Sequence, residues 1–364
     1  MELQKAFAEI NLSALAHNLN VVRKKTGNKE ILAVVKANAY GHGSVEISNH
    51  LLQKGVSKLG VALTVEAITL RESGISAPIL VFFDRDNINE CFQHNLTPVV
   101  FDLATAGKFS AEARRRHQQI PIHVKVDTGM GRIGFDIRKA LTEIIKISSL
   151  KNIRLQGLMS HFSEADLQDK DFANLQLKNF LSLEKELQQK NIHFPFLHMA
   201  NSAAVLTMSD SHFTMVRPGI MLYGYSCCES EKLKPVMSLK SRIVFLKKVP
   251  AGTSISYGRT FITERRSTIA TIPVGYADGY NRLLSNQGEV LICGQHAPVV
   301  GRVCMDTIMV DVTDIPDVTY TSEVVLIGRQ GKEKITADDI ANRIGTIPYE
   351  VLTSVGQRFK RVYT

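Results

Sequence analysis

The chain has 364 residues, 44% of them hydrophobic and 22% charged, which is the profile of a soluble globular protein and asks for one large barrel or two domains. A formal charge of +9 raises nucleic acid as a partner. The densest basic run, Arg114-Arg115-Arg116-His117, instead closes a helical segment, where cations complement the helix dipole. It has no interleaved stacking aromatics, so it reads as a solvated face, and the positive field favours small anionic ligands.

The first residues, MELQKAFAEINLS, hold no apolar core of signal-peptide length. The longest uncharged stretch, residues 191–209, is broken by His193, Pro195, His198 and Asn201 and is too polar to span a membrane. A cytoplasmic location is expected. Five cysteines at 91, 227, 228, 293 and 304 make an odd set without framework spacing, and the adjacent pair Cys227-Cys228 suits neither CxxC chemistry nor an easy disulfide. Reduced thiols are expected.

In chain order, an amphipathic segment near 12–25 precedes eight short apolar runs near 31–36, 59–63, 78–83, 97–100, 121–126, 153–159, 195–199 and 214–216. Helical patterns fall between them, near 44–54, 64–73, 87–94, 103–118, 138–147, 169–190 and 201–208. Continuous rather than alternating apolar strands, separated by helices, predict an α/β fold of (β/α)8 TIM-barrel type over 1–235. Beyond about residue 236 the texture changes to period-2, β-branched runs at 241–249, 268–274, 289–293, 297–303, 307–312 and 324–327, with one helix near 336–344 opened by Thr336. A mainly β C-terminal domain over 236–364 is expected, and the first ten residues fit either part.

The barrel strand near 31–36 runs into the stretch AVVKANAYGHG, residues 33–43. Lys36 then stands at a strand's C-terminal end, where barrel enzymes place catalytic groups. A desolvated lysine beside a cation becomes an amine nucleophile or Schiff-base former; the plainer alternative is a strand-end lysine reaching solvent. After the strand near 121–126 comes Asp127-Thr128-Gly129-Met130-Gly131-Arg132-Ile133-Gly134, a literal G-x-G-x-x-G. A dinucleotide site also wants an acid at the end of the next strand, and that strand ends in Ser160 and His161 instead. Asn201-Ser202 opens a helical segment, so Ser202 is either an ordinary cap or an anion donor. The eighth strand leads into Arg217-Pro218-Gly219-Ile220. In the β-rich part, Ser256-Tyr257-Gly258-Arg259, VGYADGY around Tyr276, Cys304-Met305-Asp306 and TIPYEVL around Tyr349 are the distinctive stretches.

These stretches, in this order, resemble the alanine racemases, pyridoxal-phosphate enzymes of fold type III that interconvert L- and D-alanine. The resemblance spans nearly the whole chain. It implies that Lys36 carries the pyridoxal 5'-phosphate cofactor and serves as one catalytic base, and that Tyr257 is the other. Two bases are needed because a single one returns the proton mostly to its own face. A phenol fills that role only where nearby cations favour its phenolate. The resemblance further assigns Arg217 to the ring nitrogen, with His161 against it. Tyr40, Ser202, Gly219 and Ile220 fall to the phosphate, and Arg132 to the phenolic oxygen and the substrate carboxylate. Lys125, inward on Arg132's strand, matches a position often carbamylated to orient that arginine; unmodified, the two cations repel.

An arginine cannot protonate the pyridine at neutral pH, so the carbanion is less delocalised and is quickly reprotonated. The resemblance also implies a head-to-tail homodimer in which Tyr257 and Met305 complete the partner's site, with Asp306 supporting that loop. Tyr276 and Tyr349 would narrow the entrance to suit a methyl side chain, Tyr349 also lying by the cofactor. The expected activity is alanine racemisation that supplies D-alanine for peptidoglycan, with no metal, nucleic acid or membrane partner. The rivals are a racemase for serine or lysine, a decarboxylase with an acid at Arg217's place, and a pyridoxal-phosphate carrier lacking a second domain. A metal-dependent hydrolase is disfavoured because His42, His161 and His198 have no ligand spacing.

Overall fold

A computed structural model describes residues 6–226 and 232–364; the Cys227-Cys228 pair lies outside them. Among the described residues Cys91, Cys293 and Cys304 are free thiols, and no helix is long and apolar enough to cross a membrane. The chain divides into two compact units. One holds 16–39, 44–226 and 232–233, and the other 6–15, 40–43 and 234–364.

The first unit is a nearly closed barrel of eight parallel strands, Glu30–Val34, Lys58–Val61, Ile79–Val81, Thr97–Val100, Ile120–Asp127, Ile153–Met159, Phe196–His198 and Met215–Val216. Neighbours follow chain order, and the eighth strand pairs with the first through Met215 and Val216 opposite Glu30 and Ile31. A parallel sheet covered by helices is buried on both faces, which is why Ile79–Val81 is buried at every residue and why the strands read as unbroken apolar runs. The helices turn one stripe inward. In Leu103–Arg115 the buried set is Thr105, Ala106, Phe109 and Ala113, and Asp102 caps the start by accepting from the Thr105 N–H at 2.7 Å. Phe109 is 2% exposed, so truncating it to alanine would cost about 3–5 kcal/mol.

The second unit is mainly β. Its large sheet runs Gln295–Pro298, Glu289–Ile292, Glu323–Gln330, Met237–Arg242, Ala6–Ile10, Lys360–Tyr363, with Glu333–Ile335 paired to Glu323–Gln330. A three-stranded sheet joins Phe245–Val249, Ser267–Ile272 and Ile308–Asp311. The run expected over 241–249 is thus two strands in different sheets. The division at 235/236 places residues 6–15 with the barrel, whereas the strand Ala6–Ile10 ladders between Met237–Arg242 and Lys360–Tyr363. Ala8 and Ile10 are fully buried there; five residues with partners more than 200 positions away leave no local sign of this pairing. Besides Ala337–Ile344 there is a second helix, Pro348–Thr353, too short for a period to be read but opened by proline at its first position.

Candidate active site

Lys36 stands one residue beyond the first barrel strand, after Val35. The next four residues, Ala37 to Tyr40, all take φ of 52–53°, a left-handed turn built without glycine. Left-handed backbone costs roughly 1–2 kcal/mol per residue, so the turn persists only because its polar groups are held. The Glu66 carboxylate accepts the Ala37 N–H as well as those of Ala62 and Leu63. The Val35 carbonyl accepts the Ala39 N–H at 2.9 Å, and Asn38 Oδ1 accepts that of Ser44 at 2.8 Å. Lys36 Nζ lies 5.8 Å from the Phe83 ring centroid, and the Arg132 guanidinium 5.4 Å from the same ring. Burial holds the Lys36 amine below its ordinary range, and Arg132 pushes the same way against the opposing Glu66. Both effects favour the neutral amine, the form in which nitrogen reacts.

Arg132 sits on a loop organised by one carboxylate. Asp127 accepts from the N–H groups of Gly129, Met130 and Gly131. Gly134 closes the loop at φ +133°, where a Cβ would lie 2.5 Å from the Asp127 nitrogen. These glycines serve a tight turn rather than a pyrophosphate, and the loop passes to the short strand Phe135–Asp136. Lys125, two residues before Asp127, is 2% exposed and its Nζ has no hydrogen-bond partner. Burial, then Arg217 and Arg132, push its amine down to about 7 against the pull of Asp127.

Arg217 is buried without a carboxylate. Its NH1 donates to His198 Nδ1 at 2.9 Å and to the His198 carbonyl at 2.8 Å. Its NH2 donates to the Ser160 carbonyl at 2.8 Å, and to His161 Nδ1 and the Met199 carbonyl at 3.2 Å. Every acceptor is neutral, and Nε takes part in none of these bonds. Burial, with Arg132 nearby, pushes the guanidinium down to about 9, so it is still a cation at pH 7. Burial first, then Arg217, Lys125, Arg132 and Lys36, hold His161 well below its ordinary range. Ser202 is not the cap of its helix; Asn201 is, accepting from the Ala204 N–H at 3.0 Å. Ser202 Oγ instead accepts the N–H groups of Gly219 at 2.8 Å and Met221 at 3.4 Å, while Ile220 begins the next helical turn. With its lone pairs occupied, the hydroxyl hydrogen is left to donate.

The other expected residues belong to the second unit. Ser256, at φ 65°, donates to the Arg302 carbonyl at 2.6 Å and presents Tyr257, which is 73% exposed. The Tyr276 and Ala277 N–H groups donate to the Cys304 and Met305 carbonyls at 3.0 Å, an approach that glycine at 275 permits, since a Cβ there would meet both carbonyls at 2.3 Å. Met305 is exposed, and Asp306 is tied to Arg358 at 2.8 Å. The Tyr40 and Tyr349 rings stand 6.0 Å apart. Glu66, Phe83 and His198 hold places in the site that the sequence alone did not reveal. The strand-end rule extended to the third and seventh strands would have found Phe83 and His198.

The N-terminal domain model of alanine racemases matches residues 10–227, and the C-terminal domain model matches 236–363. An alanine racemase of Thermodesulfovibrio yellowstonii is 48% identical, with 98% of this chain and 97% of that one covered. The solved structure of alanine racemase from Clostridium difficile 630 has 38% identity and a TM-score of 0.95, covering 100% of this chain and 97% of that one. That of alanine racemase from Bartonella henselae, described with covalently bound pyridoxal phosphate, has 31% identity and a TM-score of 0.90, covering 99% of this chain and 100% of that one. With a barrel whose mouth gathers Lys36, Arg132, His161 and Arg217, and with both domain models matched, the chain belongs to the alanine racemase family.

Proposed function

We propose that this chain racemises alanine with pyridoxal 5'-phosphate, using Lys36 and Tyr257 as the two proton-moving groups. The observation that carries the reading is the convergence at one barrel mouth of a half-buried lysine, its amine held below the ordinary range, with Arg132, His161 and Arg217. The residues present fit the cofactor. Lys36 offers a reactive amine, Arg217 keeps Nε for a ring nitrogen, and the Ser202 hydroxyl has a hydrogen to give a phosphate. Gly219 and Ile220 would complete the phosphate cradle, and Tyr40 and Tyr349 would also serve the cofactor. When bound, the group supplies a carbonyl that condenses with amines and a ring that withdraws an electron pair from the substrate's Cα.

The protein's own part is to orient and to move protons. Arg132 holds the substrate carboxylate, and Lys36 Nζ gives or takes the Cα proton on one face. Tyr257 Oη serves the opposite face, taking the proton from L-alanine. Arg217 stays a donor throughout, so it lends no proton to the ring and leaves the electron pair at Cα, ready for reprotonation. Lys125 carries a carbamate: its neutral amine adds to carbon dioxide, an N–C bond forms and one proton leaves. The resulting anion would lie by Arg132 and Arg217 and replace repulsion with pairing.

The exposure of Tyr257 and Met305 suits a homodimer in which Tyr257 of the partner subunit and the partner subunit's Met305 complete each site, with Asp306 holding that loop. Tyr276 and Tyr349 admit a methyl side chain at the entrance. The product serves peptidoglycan synthesis in the cytoplasm. Borohydride reduction of the loaded protein should fix the cofactor on Lys36, and in Lys36→Ala no adduct should form; an adduct on another lysine overturns the assignment. Mixing inactive Lys36→Ala and Tyr257→Phe chains should restore about a quarter of the activity by random pairing of subunits. No recovery after subunit exchange overturns the shared site.

A further inference from the structure

The strand Ile120–Asp127 carries a second inward residue below Lys125, and nothing above gives it a role. His123 is 3% exposed, and its Nδ1 lies 2.8 Å from His198 Nε2. Three features fix it there. The ladder to Ile153–Met159 is irregular at this point: Ile122 pairs with Leu155 but His123 with Gly157, leaving Gln156 as an extra residue. Such bulges re-aim side chains next to functional sites. Gly157 is itself shaped by the ring, since a Cβ there would lie 2.2 Å from His123 Nδ1. The Phe196 ring stacks on the imidazole at 6.2 Å and 17°.

The direction of the hydrogen bonds follows from arginine, which only donates. Because Arg217 NH1 donates to His198 Nδ1, that nitrogen carries no hydrogen. Burial pushes His123 down to about 3 and holds His198 well below its ordinary range. Both rings are therefore neutral, with one hydrogen each. The His198 hydrogen must then sit on Nε2 and point at His123 Nδ1, and the His123 hydrogen sits on its own Nε2.

We propose that His123 is a positioning residue: by accepting from His198 Nε2 it holds His198 in the tautomer and orientation that receive Arg217, and so keeps the guanidinium placed toward the ring nitrogen. The last clause rests on the racemase reading; the tautomer itself does not. Without the His123 acceptor, the His198 Nε2–H has no partner. An unpaired buried N–H is costly, so the ring turns toward another acceptor and carries Nδ1 away from the Arg217 N–H that it receives.

The test uses the cofactor-loaded protein. Neutron diffraction after deuterium exchange should place hydrogen on Nε2 of both His198 and His123. Hydrogen on His198 Nδ1 in the unsubstituted protein overturns the proposal, and this arm needs no variant to fold. His123→Phe keeps an aromatic ring against Phe196 but removes the acceptor, whereas His123→Asn offers an oxygen in its place. For His123→Phe, racemisation events per pyruvate released by transamination should fall by roughly tenfold or more, the worth of one bond to a charged group. His123→Asn should restore most of that ratio. A ratio unchanged in His123→Phe, with only thermal stability lowered in both variants, overturns the proposal as a merely structural role would. Failure of the unsubstituted protein to racemise alanine refutes the racemase reading and the ring-nitrogen clause, while the tautomer is judged by diffraction alone.

Discussion

Lys125→Met is the substitution whose effect can be worked most fully from the structure. The amine is buried, has no hydrogen-bond partner and titrates near 7 rather than 10.5, through burial first and then Arg217 and Arg132. The unfolded chain therefore binds more protons between those two values, and stability rises with pH across that window. Below pH 7 the full cost of keeping the lysine buried is roughly 5 kcal/mol; it is roughly 3 kcal/mol at pH 8 and under about 1 kcal/mol at pH 10. Methionine fills similar space without a charge. In buffer freed of carbon dioxide, guanidinium unfolding should find the variant more stable by an amount that shrinks steadily from pH 7 to pH 10. Saturating bicarbonate should narrow the gap at pH 8, because the carbamate turns the uncompensated amine into a partner for the arginines. A stability gap that stays constant from pH 7 to pH 10, or widens with pH, would mean that Lys125 is not held uncharged by its burial.

Tyr257→Phe should separate the two half-reactions. The equilibrium constant between enantiomers is 1, so kcat/KM falls equally in both directions, and the asymmetry must be read from α-proton exchange in heavy water. Exchange from L-alanine should drop about 100-fold or more while exchange from D-alanine persists; equal loss from both would count against two bases. Ser202→Ala removes the acceptor of two N–H groups and the hydroxyl hydrogen, and should weaken cofactor binding about tenfold by equilibrium dialysis. Unchanged binding would remove Ser202 from the phosphate site. Gly279→Ala places a Cβ 2.1 Å from the Ser354 carbonyl at φ +99° and should lower stability by about 2 kcal/mol or more. Calorimetry showing no loss would mean that the helix Pro348–Thr353 can give way.

The barrel was legible because its strands are buried on both faces, so runs such as Ile79–Val81 announce themselves by composition. The places of Lys36, His161 and Arg217 past the ends of barrel strands were legible, while the roles proposed for them come from the family resemblance. The N-terminal strand Ala6–Ile10 was not, since its partners lie at 237–242 and 360–363 and nothing local marks the pairing. The support of the site was hidden for a related reason. Glu66 reaches Ala37 across 29 positions, and His123 reaches His198 across 75, through a register shift at Gln156. Spacing along a chain shows which residues share a strand face. It does not show which neighbour a bulge brings opposite, and that decides how Arg217 is held.

Every role given to these residues depends on the site racemising alanine. Purified protein loaded with pyridoxal phosphate and incubated separately with L-alanine, L-serine and L-lysine, followed by chiral separation, tests it most directly. Rapid approach to an equal mixture is expected with alanine, and little change with the other two. Faster turnover of serine or lysine would keep the two-base chemistry and contradict the substrate. A bound cofactor with no turnover of any of the three would contradict the claim itself.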